Sequence, residues 1–214
     1  MSDLQTAIQA YTELERKVDT VWAPLSQKVC GRCEKVCCKP VVCREAVESD
    51  WLRLVSEREY GEWVPADVED RWESECMALR ADGCLLAVGR PAICRGYYCP
   101  DVLDACSDIY EVIFYTFSAE IPWVVSKLTR RTDLITLERE RLEQYAGRIL
   151  RAVRRADQLF ELSKTLLDEQ AAKETKLKIA LTLVCANSRF LKQGVKDRIL
   201  EELAAEGLSL PEDV

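Results

Sequence analysis

Residues 30–38 read CGRCEKVCC, which places four cysteines within nine positions of the chain. Four more cysteines follow at wider spacing in a second block. The eight cysteines of the two blocks are Cys30, Cys33, Cys37, Cys38, Cys76, Cys84, Cys94 and Cys99. Thiolate sulfur is the soft ligand that selects zinc, iron–sulfur clusters or copper(I). The pattern therefore predicts a metal centre held by thiolates, because packing alone rarely concentrates cysteine in this way.

The chain of 214 residues contains no histidine. This composition excludes mixed Cys/His zinc sites and catalytic zinc held by histidines. It also excludes serine or cysteine nucleophiles that a neighbouring imidazole activates. Any general base would have to be Asp, Glu, Lys, Tyr or a thiolate. The sequence therefore indicates an all-sulfur ligand set and leaves open whether the protein is an enzyme.

Charge and hydrophobicity indicate a soluble protein with a real core. Hydrophobic residues make up 48% of the chain, charged residues make up 31%, and the net charge is −7. The negative charge disfavours nucleic-acid and anionic-membrane binding. The most apolar stretch, residues 109–125, is interrupted by Glu111 and Glu120, so we expect no membrane span. No basic-then-apolar leader opens the chain, so we expect a cytoplasmic location, where a reducing environment favours metal binding over disulfides.

Local signals predict helices in the first half of the chain. Ser2 and Gln5 resemble the two partners of a capping box, and an apolar series at helical spacing follows until Pro24, which should end that helix. A second helix is expected from residue 49 to residue 60, ended by Gly61, and a third from residue 65 to residue 75. Residues 77–88 read as a β-hairpin around Asp82-Gly83.

From residue 109 onward the sequence reads as helical. One apolar stripe consists of Leu142, Tyr145, Ile149, Val153, Ala156 and Phe160, and a later one of Leu177, Leu181, Val184 and Leu191. We therefore predict a mainly α fold, a helical bundle with a small cysteine-rich β-hairpin metal-binding module. Residues 1–128 would form the cysteine-cluster domain with its N-terminal helix and a motif core at 28–100. Residues 129–214 would form a C-terminal helical region packed on it.

The first cysteine block leaves two arrangements open. A Cys-x-x-Cys turn brings two sulfurs onto one ion, and Gly31 eases the tight curvature. Adjacent side chains in extended backbone point to opposite sides, so Cys37 and Cys38 either serve two centres or divide into one ligand and one packed residue. Basic residues surround the block, which stabilises an anionic centre. They are Lys28, Arg32, Lys35, Lys39 and Arg44, against the single acid Glu34. Solvated loop charges are the alternative.

The second block completes a recognisable motif. Residues 83–100 read GCLLAVGRPAICRGYYCP. Together with CGRCEKVCC and Cys76, this run resembles the YkgJ-type cysteine-cluster family, whose members are described as zinc- or iron-chelating proteins. The resemblance covers residues 30–100 and implies that the eight cysteines bind zinc or iron. One extra residue between Cys33 and Cys37 departs from the family pattern. Spacing does not separate zinc from an iron–sulfur cluster.

Arg90 and Arg95 flank Cys94 in the sequence. No acidic residue lies between Cys84 and Cys99. We expect Arg90 and Arg95 to assist cofactor binding by donating hydrogen bonds and positive charge to the thiolates. Ordinary surface arginines are the alternative.

Three further cysteines lie outside the motif. Cys43 and Cys106 are close enough in sequence to the two blocks to be spare ligands. Cys185 lies on an apolar helical stripe and is expected to pack in the interior.

Three functional classes agree with this sequence. The first is a thiolate-ligated metal-binding protein in metal handling, cofactor maturation or electron transfer. The second is a structural-metal module whose helical half binds a protein partner, and the third is an iron–sulfur-dependent enzyme subunit. A basic helical patch could meet an acidic partner or RNA, although such patches are more often solvated. It consists of Arg148, Arg151, Arg154 and Arg155.

Overall fold

The computed structural model describes residues 2–30, 48–61, 79–80, 83–84, 86–96, 125–129, 132–168, 170–187 and 193–205. This part of the chain is mainly helical, as the sequence predicted. The helices are α1 (Asp3–Cys30), α2 (Asp50–Tyr60), α3 (Ala92–Gly96), α4 (Arg139–Leu167), α5 (Lys173–Asn187) and α6 (Gln193–Ala205). The strands are β1 (Leu79–Arg80), β2 (Gly83–Cys84), β3 (Lys127–Thr129) and β4 (Thr132–Asp133).

The core lies mainly between the two long helices, α1 and α4. Apolar residues three or four positions apart form one stripe on each helix, and the two stripes face each other. The buried residues of α1 include Leu4, Ala7, Ile8, Leu14 and Val18, and those of α4 include Leu142, Ile149, Val153, Ala156 and Phe160. The predicted α4 stripe is therefore confirmed, with Tyr145 half-buried at its margin. At one edge of the interface, Lys17 of α1 forms ion pairs with Asp157 at 2.6 Å and with Glu161 at 3.1 Å, both on α4.

Helix α1 begins as predicted and ends later than predicted. The Ser2 N–H donates to Gln5 Oε1 at 3.0 Å, and the Gln5 N–H donates to Ser2 Oγ at 3.2 Å, which is a reciprocal capping box. Pro24 does not end the helix, which continues to Cys30. Proline leaves the carbonyl of Thr20 without its helical donor, but both residues are exposed, so water can satisfy that oxygen.

Helix α2 agrees closely with its sequence signals. Ser49 accepts a hydrogen bond from the Leu52 N–H at 3.3 Å, and Gly61 ends the helix in the left-handed region at φ +79°. The helix packs on α1, where the rings of Tyr11 and Trp51 meet edge to face at 5.2 Å. The predicted helix at residues 65–75 lies outside the described residues.

Two short antiparallel strand pairs accompany the helices. Strand β1 pairs with β2 within the predicted hairpin, with Leu79 opposite Cys84 and Arg80 opposite Gly83. Residues 81 and 82, between the strands, lie outside the described part, as does much of the predicted cysteine-rich module. Strands β3 and β4 also pair, although the sequence predicted only helix there. The apolar periodicity stops between residues 126 and 133, and β-branched Thr129 and Thr132 favour strand.

The chain after α4 continues as predicted into further helices. Helix α5 packs on α4 through buried Ala180 and Leu183, and α6 contacts α5. Of the later stripe, Leu177, Leu181 and Val184 lie on α5, whereas Leu191 is outside the described residues. None of the described helices is both long and apolar enough to cross a membrane. The proposed division at residue 128 stays a prediction.

Candidate metal site and the charge cluster behind it

Three of the eight predicted ligands lie in the described part of the chain. Cys30 is the last residue of α1, Cys84 ends β2 with an exposed side chain, and Cys94 is half-buried on α3. The other predicted ligands, Cys33, Cys37, Cys38, Cys76 and Cys99, lie outside it, as do Cys43 and Cys106. Within the described ranges no three or more potential ligands form a cluster that could hold a metal ion. The complete ligand set therefore stays a prediction.

Cys94 lies in a largely buried segment, residues 86–96, that begins shortly after the exposed Cys84. Strand β2, which ends at Cys84, contacts α1. Residues 86–96 come next in the described part of the chain and include Cys94. The carbonyl of Pro91 accepts a hydrogen bond from the Cys94 N–H at 2.9 Å, which forms the first turn of α3. Gly89 has φ +76°, a backbone conformation that other residues rarely adopt. The chain therefore turns sharply at Gly89, between Cys84 and Cys94.

One tyrosine attaches this turn to α2. The hydroxyl of Tyr60 accepts a hydrogen bond from the Val88 N–H at 3.1 Å and donates one to the Val88 carbonyl at 3.3 Å. Val88 is fully buried, so both of its backbone polar groups need a partner within the protein. Burial raises the pKa of Tyr60, which keeps this hydroxyl protonated and able to donate.

Four charged side chains attach the same segment to α1, and we call them the charge cluster: Glu15, Asp19, Arg90 and Arg95. The Arg95 side chain is 0% exposed, with Nη1 at 3.1 Å from Asp19 Oδ1 and Nε at 3.7 Å from Glu15 Oε1. Arg90 Nη2 lies 3.7 Å from Asp19 Oδ1. The two arginines also donate to carbonyls of their own segment, Arg90 to Leu86 at 2.9 Å and Arg95 to Ala87.

Glu15 is the fully buried acid of the charge cluster. Its carboxylate accepts hydrogen bonds from the Gly89 N–H and from the Tyr11 hydroxyl, the latter at 3.3 Å. Burial raises the pKa of Glu15, while the Arg95 guanidinium and the Gly89 N–H oppose that rise. Burial, helped by the negative charge of Glu15, also raises the pKa of Tyr11 well above its ordinary value. The two acids balance the two arginines, so the cluster is close to neutral when ionised.

The sequence identified only one side of this cluster. Arg90 and Arg95 are buried, so the alternative of ordinary surface arginines is wrong. Their predicted contact with thiolates stays a prediction, because most of the cysteines lie outside the described residues. Glu15 and Asp19 were not identified, although one signal was present. Glu15 occupies the position between Tyr11 and Val18 where the apolar series of α1 calls for a hydrophobic side chain.

No family model matches this chain, and neither a curated protein nor a solved structure shows a significant match. The resemblance to the cysteine-cluster family therefore rests on the motif residues themselves.

Proposed function

We propose that this chain is a thiolate-ligated metal-binding protein that holds zinc or an iron–sulfur cluster. The proposed ligands are Cys30, Cys33, Cys37, Cys38, Cys76, Cys84, Cys94 and Cys99. One observation carries the proposal: cysteines from both sequence blocks are attached to α1. This helix ends at Cys30, and the charge cluster holds the segment between Cys84 and Cys94 against it. A shared support of this kind suits a site assembled from two distant parts of the chain.

The described cysteines also suit a site that a metal can enter. Cys84 is exposed and Cys94 is half-buried, so an incoming ion can reach both thiols. Bound zinc would supply folding energy or Lewis acidity, and an iron–sulfur cluster would supply one-electron transfer. Roles in metal handling, cofactor maturation or electron transfer all agree with such a centre.

Anaerobic purification followed by metal analysis and a visible spectrum tests this function. We expect at least about one centre per chain, colourless for zinc and coloured for iron–sulfur. Replacing one proposed ligand in Cys94→Ser should lower the metal content. Cys185→Ser is the matched control, because Cys185 lies outside both blocks, and it should retain the metal. A folded wild-type protein that contains neither zinc nor iron after supply of both would contradict the proposal.

A second candidate function is docking of a protein partner on the helical half. Arg148, Arg151, Arg154 and Arg155 are all exposed on α4, and within the described ranges none of the four forms an ion pair. Exposed cations on one helix attract an acidic surface, even in a chain of net charge −7. Salt-sensitive binding of poly-L-glutamate that is lost in the double variant Arg151→Gln/Arg155→Gln would support this role. Tighter binding of an RNA oligonucleotide would contradict it.

A further inference from the structure

The segment from residue 86 to residue 96 is buried although it has little regular structure. Its only helix is the five-residue α3. Even so, Leu86, Val88, Arg90, Ala92 and Arg95 are all buried. A short segment without long helices or strands cannot hold this position through its own hydrogen bonds. Among the described elements, α1 and α2 supply contacts that help to fix where it lies.

The charge cluster supplies the ion pairs among these contacts. Arg95 is fully buried, and its counter-charges come from Glu15 and Asp19 on α1. The guanidinium also binds the carbonyl of Ala87, so it closes the segment on itself while it attaches the segment to the helix. A buried guanidinium that loses its counter-charge is strongly unfavourable, so the segment has to shift until the group is hydrated or paired again.

Such a shift would move the proposed ligands. Cys94 directly precedes Arg95, and Cys84 lies two residues before Leu86. Zinc–sulfur bonds are about 2.3 Å long and tolerate deviations of only about 0.2 Å. A displacement of the segment by about 1 Å is therefore enough to spoil the coordination geometry.

The same helix fixes the start of the first cysteine block. Cys30, the last residue of α1, lies eleven positions after Asp19, a distance of about 16 Å along the helix axis. One helix thus carries both Cys30 and the two acids that hold the segment with Cys94, with Pro24 between them. Glu15 and Asp19 can therefore influence where Cys84 and Cys94 lie relative to Cys30 without contacting the metal.

We infer that Glu15 and Asp19 are positioning residues for the metal site: through Arg90 and Arg95 they hold the segment that carries Cys94, shortly after Cys84, against the helix that ends at Cys30. This inference rests on the proposed function, and it adds two residues of α1 that lie outside the cysteine motif. It also assigns the two arginines a role in placing the ligands rather than in contacting them.

The test compares isosteric variants in the full-length protein. Glu15→Gln and Asp19→Asn remove one charge each from the cluster and keep the side-chain size. Glu59→Gln and Asp157→Asn are matched controls, because they remove ion pairs that α1 makes with α2 and α4 through Arg16 and Lys17. Zinc affinity is measured by competition with a chelator of known affinity, and the melting temperature is measured for each variant. Asp19 is partly exposed, so Asp19→Asn remains informative if Glu15→Gln fails to fold.

We expect about tenfold weaker zinc binding in the two cluster variants and a change within about twofold in the two controls. Asp19→Glu, which keeps the charge, should recover most of the affinity. If all four variants lower the melting temperature alike and leave zinc affinity unchanged, the positioning role is overturned while the proposed function stands. If the wild-type protein binds neither zinc nor iron, the proposed function fails, and this inference fails with it.

Discussion

Replacing Tyr60 with phenylalanine should destabilise the chain although it removes only one oxygen atom. That oxygen is the hydrogen-bond partner of both the N–H and the carbonyl of Val88, at 3.1 and 3.3 Å. An unsatisfied buried polar group costs about 1–3 kcal/mol. Tyr60 is itself half-buried, so water can replace part of the lost bonding. We therefore expect the free energy of unfolding to fall by about 2 kcal/mol.

Urea unfolding followed by tryptophan fluorescence measures this loss, which corresponds to about 4–8 °C in melting temperature for a chain of this size. Amide hydrogen exchange should show the Val88 N–H losing protection more than the amides of α4. Tyr145→Phe is the control, because the Tyr145 hydroxyl forms no hydrogen bond to any residue that the structure describes. A loss below about 0.5 kcal/mol in Tyr60→Phe, with Val88 still protected, would show that the backbone of Val88 does not depend on the Tyr60 hydroxyl.

Three further predictions concern the core, pH and the vicinal cysteines. Ile149→Ala should cost about 2–5 kcal/mol in urea unfolding, because this residue is fully buried between α1 and α4, whereas exposed Arg151→Ala should cost less than about 0.5 kcal/mol. Because burial raises the pKa of Glu15, the stability that this carboxyl contributes is complete below its ordinary pKa of 4.5 and is lost as the pH rises through the folded value. Unfolding measured from about pH 4.5 upward should therefore show a steeper loss in the wild type than in Glu15→Gln, and equal slopes would contradict this. Cys37→Ser and Cys38→Ser should each lower the metal content if both residues are ligands, and an unchanged content in one variant would assign that cysteine to packing.

The elements that the sequence predicted well are those whose signals are local. The capping box at Ser2, the helix ended by Gly61 and the apolar stripe of α4 each depend on residues within a few turns of one another. Pro24 was misinterpreted, because the local signal of a helix breaker takes no account of packing over the rest of a long helix. The pair β3–β4 was missed, because two- and three-residue strands carry almost no periodicity.

The candidate site also combines features that the sequence showed with features that it did not. The cysteine motif is visible in the sequence because its members are chemically distinctive and closely spaced. The burial of Arg95 was not visible in the sequence, because its partners Glu15 and Asp19 are more than seventy residues away in the chain. From the sequence alone, an acid within an apolar stripe looks misplaced, because the cation that compensates its charge is known only from the fold. Contacts of this range follow from tertiary packing and carry no local signal.

Residue-by-residue thiol protection tests whether the eight cysteines of the two blocks bind metal. The protein is labelled with a thiol reagent before and after removal of metal by a chelator, and mass spectrometry assigns the label to each cysteine. We expect the eight cysteines of the two blocks to be protected when metal is bound and to react after its removal. Cys185, outside both blocks, should react to the same extent in both states. Equal labelling of all eight cysteines with and without metal, in a protein that stays folded, would contradict the account.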